Sequence, residues 1–216
     1  MLTRLAVFDC DGTLVDGQAA VCTAMDEAFA RNGLPRPDHH LVRRSVGLSL
    51  PQAVRALIPE ADDDLRQSVD LAYRDAFRAA REAGELVEPL YAGVRELLEA
   101  LLDDGWLLGV ATGKSDRGLE HCLASHGLSR HFITLQTADR HPSKPHPAML
   151  EAALLEAGAQ PEHAVMIGDT AYDMAMAVNA GVRALGVDWG YHTPEELVEA
   201  GAELVAATPL HLLELL

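Results

Sequence analysis

Apolar positions along this chain change their spacing twice. The run LAVF (residues 5–8) is continuous and apolar, and FDCDGTLVD (residues 8–16) breaks it with carboxylates and a glycine. A short apolar run closed by turn residues predicts a buried strand. Residues 17–87 then carry apolar side chains at three- and four-residue intervals: QAAVCTAMDEAFARNG ends on Gly33, and LPQAVRALI and DDDLRQSVDLAYRDAFRAAREAG follow, each stopped by Gly or Pro. That spacing predicts helices and needs no strand. From residue 92 the texture alternates. A helix (AGVRELLEALLDDG) leads to WLLGVAT, after which ITLQTA, AVMIGD, VRALGVD and AELVAA appear as short apolar runs separated by helical segments, with PLHLLELL as a last helix. Short apolar strands alternating with helices predict an α/β fold: a Rossmann-like, doubly wound parallel sheet covered on both faces.

The first strand is separated from the second by roughly seventy residues of helical pattern, longer than any ordinary crossover. The simplest account is an inserted α-helical domain at 17–87, with residues 1–16 and 88–216 forming the core. Its borders fall near Asp16 and Gly17 and within VEPLYAG, at Pro89 and Gly93. No internal repeat or low-complexity segment is present.

Composition narrows the partners. With 216 residues and a formal net charge of −16, the chain is a poor reader of nucleic-acid backbone, which needs clustered Lys and Arg. Cys10, Cys22 and Cys122 are odd in number and widely spaced, so neither a disulfide framework nor a zinc site is expected and a reducing cytoplasm fits. No basic-then-apolar leader and no bilayer-length apolar run are seen. A soluble cytoplasmic protein without nucleic-acid or membrane partners is expected, with monomer and homodimer both open.

Candidate chemistry gathers just past the predicted strand ends: Asp9 and Asp11 after LAVF, Thr112 and Gly113 after LLGVA, Asp169 and Asp173 after VMIG. In open α/β sheets that edge binds ligands. Asp9 and Asp11, one residue apart, project to the same side of an extended strand, where burial and mutual repulsion oppose both charges. One lysine, Lys144 in SKPHP, cannot balance four carboxylates; Mg²⁺, which prefers hard oxygen ligands, would. Cation, lysine, hydroxyl and free backbone amides together suit a phosphoryl group, which a carboxylate can attack while its neighbour moves the proton. Lysine usage agrees: of seventeen Lys and Arg residues only Lys114 and Lys144 are lysines, both placed at this edge. Lys114 also reads as a solvated cation at a helix start capped by Ser115. Arg43 and Arg44, in RRSVGLS, could reach a second anionic group of a substrate or end a helix as cations. The ten histidines show no metal-ligand spacing, and Met174 and Met176 read as helix packing.

DCDGTLVD, the strand ending in Thr112, Lys144-Pro145 and GDTAYD, in this order, resemble the four motifs of the haloacid dehalogenase-like hydrolase superfamily. With the helical insert as a C1-type cap, and VDWGYHTPEELVEAGAELV near the end, the whole chain is similar to its phosphoglycolate phosphatase-like branch. The resemblance implies Asp9 as nucleophile and Asp11 as general acid/base. It implies Asp9, the Asp11 carbonyl and Asp169 as Mg²⁺ ligands, with Asp173 reaching the metal through water or orienting Lys144. Gly12, Thr112, Gly113, Lys114 and Lys144 would lie against phosphate, and a small phosphorylated metabolite would be the substrate. Gly113-Lys114 departs from the branch's usual Asn-Lys. A dehalogenase would lack Asp11 and a phosphonatase would need a cap lysine, which 17–87 does not contain. Phosphomutase and inorganic pyrophosphatase activities remain alternatives, as does a non-catalytic phosphate-binding module.

Overall fold

A computed structural model describes residues 3–216. The first strand, β1 (Leu5–Phe8), is followed by five helices: α1 (Gln18–Arg31), α2 (His39–Arg44), α3 (Leu50–Leu57), α4 (Asp63–Glu82) and α5 (Val94–Asp103). Then β2 (Leu107–Thr112), α6 (Asp116–Ser125), β3 (Thr134–Thr137), α7 (Ala148–Ala157), β4 (Ala164–Gly168), α8 (Ala171–Ala180), β5 (Arg183–Val187), α9 (Pro194–Glu199), β6 (Leu204–Ala206) and α10 (Leu212–Leu215) alternate. The six strands form one parallel sheet in the order β3-β2-β1-β4-β5-β6. Leu5 stands opposite both Leu107 and Ala164, and Phe8 opposite both Val110 and Ile167. The chain therefore leaves β1 toward one edge and returns to its other side at β4, and the loops there part to open a crevice.

Period-two alternation in β1 supplies both faces of the core. Ala6 and Phe8 meet Leu97, Leu101, Leu119 and Leu123 of α5 and α6, whereas Leu5 and Val7 meet Met149, Leu150, Met174 and Met176 of α7 and α8. Each fully buried Leu or Met contributes about 1.5–3 kcal/mol of transfer free energy. Helices α1 to α4 bury their own stripe, with Val21, Met25, Phe29, Val54 and Val69 in one cluster. The two strands of chain joining them to the sheet run side by side: Asp16 N–H donates to the Pro89 carbonyl at 2.8 Å, and Val15 bridges Leu90.

Two elements differ from the sequence expectation. Asp38 accepts from His40 N–H at 2.8 Å and starts α2, a helix ending at Arg44 where a loop was one reading. It buries only Val42, so six residues between prolines and a glycine carry almost no periodic signal. The closing helix is four residues, shorter than PLHLLELL suggests. Among the described residues no helix is long and apolar enough to cross a membrane.

Candidate active site

The Asp9 amide continues the pairing of β1, donating to the Ile167 carbonyl at 2.9 Å, which fixes the carboxylate over the end of the sheet. Its Oδ1 accepts from Cys10 N–H at 2.7 Å and lies 3.0 Å from Lys144 Nζ. Its Oδ2 is buried without a hydrogen-bond partner. The turn that follows depends on Gly12: φ is +90°, and a Cβ there would stand 2.1 Å from Asp169 Oδ2. Only glycine accepts both the left-handed backbone and that approach.

Asp169 follows β4. Its Oδ1 accepts from Thr13 Oγ1 at 2.8 Å and its Oδ2 from Tyr191 N–H at 2.9 Å. Four residues on, Asp173 closes a capping box at the start of α8: Oδ2 accepts from Thr170 N–H at 3.0 Å and Thr170 Oγ1 at 2.6 Å, while Oδ1 accepts from Lys144 Nζ at 2.5 Å. Lys144 thus spans Asp9 and Asp173 with its side chain fully buried. Both oxygens of Asp173 are thus hydrogen-bonded, one of them to Lys144.

Electrostatics follow from burial. Desolvation pushes the Asp9 carboxyl up to about 7, Asp173 and Asp11 adding to it and Lys144 opposing. Asp169 is raised well above the carboxylate range by burial, then by Asp9 and Asp173. Burial acts to lower Lys144, but Asp173 and Asp9 outweigh it and hold the ammonium charged. A second buried set lies beside the first. Lys114 Nζ is 3.1 Å from Asp11 Oδ1 and 2.6 Å from Glu88 Oε1. Burial raises Asp11, Lys114 pulls it down and Glu88 pushes it up again.

Oxygens of Asp9, Asp169 and Asp173 lie within 4.8 Å of one another. The donors are hard and anionic, Asp9 Oδ2 has lone pairs without a partner, and five buried carboxylates face two lysines. Such a set fits a divalent cation taken by oxygen.

Above these residues is a cavity of about 450 Å³ with Asp9, Asp11, Thr112, Gly113 and Lys114 at its base. Thr112, the last residue of β2, presents its hydroxyl there and accepts from Lys114 N–H at 3.2 Å. Residues 47–50 form part of the roof. A Cβ on Gly113 would be 2.4 Å from the Leu48 carbonyl, and Ser49 N–H donates to Ser143 Oγ at 2.8 Å, so residues 48 and 49 seat directly on the loops that follow β2 and β3.

The expectation that Arg43 and Arg44 face a substrate is not met. Arg44 grips Glu196 of α9 through Nη1–Oε2 (2.9 Å) and Nη2–Oε1 (2.5 Å), and its carbonyl lies 3.2 Å from His192 Nε2. Arg43 lines a separate shallow hollow with Cys22 and His39. α2 runs up to Arg44 and turns both side chains from the cavity. The arginines on the cavity are Arg74, Arg78 and Arg81 of α4 and Arg117 of α6. Sequence reasoning missed them, although 74, 78 and 81 form a stripe at helical spacing. It also missed Glu88, for which the only signal was an acid beside the insert border at Pro89.

The family model described as haloacid dehalogenase-like hydrolase matches residues 6–187. The chain belongs to that family. The Dickeya dadantii protein named "Probable phosphatase IndB" is 35% identical over 209 residues, 94% of this chain and 89% of that protein. Phosphoglycolate phosphatase of Vibrio vulnificus (strain YJ016) is 30% identical over 220 residues, 98% of this chain and 95% of that one. Among solved structures, a hydrolase from Pseudomonas syringae superposes with a TM-score of 0.86 at 26% identity, covering 98% of this chain and 97% of its own.

Proposed function

We propose that this hydrolase is a Mg²⁺-dependent phosphatase of small phosphate monoesters, working through a phosphorylated Asp9. The observation that carries the reading is the Asp9 carboxylate: one oxygen is held by Cys10 N–H and Lys144, and the other is buried without a partner. A partnerless buried oxygen costs about 1–3 kcal/mol, an expense that is recovered when a ligand arrives. The relatives named as phosphatases support the same assignment.

In the first half-reaction an Asp9 oxygen attacks phosphorus and the bond from phosphorus to the ester oxygen breaks. Asp11, whose proton affinity burial raises, gives its proton to the departing alkoxide. Asp11 then takes a proton from the water that attacks the phosphorylated Asp9. Inorganic phosphate leaves and both carboxyls return to their starting state. Lys144, the Thr112 hydroxyl and the amides of residues 11 and 113 would hold the equatorial oxygens of phosphorus, the amides of Cys10, Gly12 and Thr13 being taken by Asp9, Val15 and Cys10 within the turn. Mg²⁺ held by Asp9, Asp169 and the Asp11 carbonyl would neutralise charge on the phosphoryl oxygens and on the carboxylates around it. Asp173 acts through Lys144.

Phosphate release from p-nitrophenyl phosphate, followed with Mg²⁺ and with EDTA in wild type and Asp9→Asn, tests the reading. Turnover that needs both Mg²⁺ and Asp9 is expected. Equal release by the variant and the wild type would sink it. Phosphoglycolate, named for the Vibrio relative, is the reference metabolite for comparing leaving groups.

A further inference from the structure

The cavity over Asp9 and Asp11 has a shape and lining that speak to the leaving group. Its volume of about 450 Å³ falls within the ~300–1,000 Å³ of sites that bury drug-sized ligands. The phosphoryl subsite occupies only the base. Above it the walls are apolar: Val21 and Met25 from α1, Leu48 and Leu50 from the roof, and Tyr73 and Phe77 from α4. Tyr73 and Phe77 lie side by side along one wall, ring centroids 5.0 Å apart and planes tilted by 37°. A two-carbon acid would leave these walls against water. An apolar body of ring size would dry them.

Farther out the lining changes sign. Arg74, Arg78 and Arg81 stand at i, i+4 and i+7 on the cavity side of α4 and Arg117 lies at the start of α6, with Asp139, 3.9 Å from Arg74 and accepting from Asp116 N–H, as the acid among them. Arg74 is paired with Asp70 and Arg78 with Asp75, each at 2.5 Å. Among the described residues Arg81 and Arg117 have no ion-pair partner. In a chain of net charge −16, two unpaired guanidinium groups at the mouth of one cavity are the available hosts for an anion. A carboxylate meets a guanidinium through two parallel hydrogen bonds.

We propose that the substrate's leaving group is an apolar, ring-sized body bearing a carboxylate at its far end. On this view the ring lies against Tyr73 and Phe77 while Arg81 and Arg117 hold the carboxylate. The proposal rests on the phosphatase reading above and deepens it. It assigns specificity to α4 and α6 rather than to Arg43 and Arg44.

The test compares three esters whose leaving groups are all primary alkoxides, so that ring and carboxylate are varied separately: phosphoglycolate, benzyl phosphate and 4-carboxybenzyl phosphate. With Mg²⁺-loaded wild type, kcat/KM is expected to rank 4-carboxybenzyl phosphate above benzyl phosphate and benzyl phosphate above phosphoglycolate. Arg81→Met and Arg117→Met should each raise KM for the carboxybenzyl ester about two- to fivefold more than for benzyl phosphate, the scale of a partly exposed ion pair. Arg81→Lys and Arg117→Lys should restore part of that difference. The proposal is overturned if phosphoglycolate matches or exceeds the benzyl esters in wild type, an outcome independent of whether any variant folds. It is also overturned if the Met variants raise both KM values equally. If p-nitrophenyl phosphate is not turned over either, the phosphatase reading itself has failed and takes this proposal with it. Turnover of that ester without the ranking defeats the leaving-group assignment alone.

Discussion

Lys114 keeps apart two carboxylates that burial would otherwise set against each other. Its Nζ lies between Asp11 and Glu88, with the three side chains only 6–12% exposed. Removing one member of a buried ion pair leaves an uncompensated charge and costs about 3–5 kcal/mol. Lys114→Met is therefore expected to lower the unfolding free energy, measured by urea titration at pH 7.5, by an amount in that range. Glu88→Gln in the same chain should recover part of the loss, because one of the two stranded charges is then gone. A double-mutant cycle measures the coupling, and additive losses would show that the three groups do not act as a set. Asp9, Asp11, Asp169 and Lys144 stood out in the sequence because each follows an apolar run or precedes a helix start, and strand ends in such sheets converge. Glu88 did not, since its meaning comes from a lysine twenty-six positions away that reaches it only through the fold. Arg43 and Arg44 misled for the matching reason: a loop next to a predicted site says nothing about which way its side chains turn.

At the level of elements, the turn from α2 to α3 is the part of the insert that grips the sheet domain. Its handles are Arg44 on Glu196, the Arg44 carbonyl beside His192, and Ser49 on Ser143. Hydrogen bonding to Arg44 depresses Glu196 to about 2 from an ordinary value near 4.5. A carboxylate depressed in the folded state adds stability that is fully present above its unfolded value and fades as pH falls toward the folded one. Glu196 also closes the capping box of α9 with Thr193, and glutamine can keep that bond while losing the charge. Wild type should then exceed Glu196→Gln in denaturant midpoint by a constant margin from pH 7 to about 5, with the margin shrinking below about 4.5. A margin that does not change between pH 6 and pH 3.5 would show that the Arg44 pair does not stabilise the folded state. Helix α2 was hard to see in advance because a six-residue helix with one buried side chain lacks a period to detect. Strands β1, β2, β4 and β5 were easy for the opposite reason, being mostly apolar on both faces and bounded by Gly, Asp or Thr.

For the molecule as a whole, the fold gathers more negative charge at one sheet edge than its own lysines can balance, in a chain that is already at −16. The gathering is a product of topology: β1 and β4 are neighbours in space and about 160 residues apart in sequence, so Asp9 and Asp169 meet only once the sheet is complete. Alternating strands and helices announced the sheet. The seating of the insert on Gly113 was invisible, because it depends on the Leu48 carbonyl, which has no side-chain signature. The charge excess gives folding stability a dependence on cation concentration. An ion that binds only the folded chain adds RT ln(1 + [L]/Kd), about 2.7 kcal/mol at a hundredfold excess over Kd, and at this chain length each kcal/mol moves Tm by about 2–4 °C. Saturating Mg²⁺ should therefore raise the Tm of wild type by about 5–10 °C over an EDTA control. Asp9→Asn removes one of the repelling carboxylates and one ligand together, so its Tm in EDTA should equal or exceed that of wild type while its response to Mg²⁺ falls below half. Calorimetry under both conditions decides it. A variant that loses stability in EDTA yet keeps the full Mg²⁺ response would mean that Asp9 supports the fold and does not hold the ion.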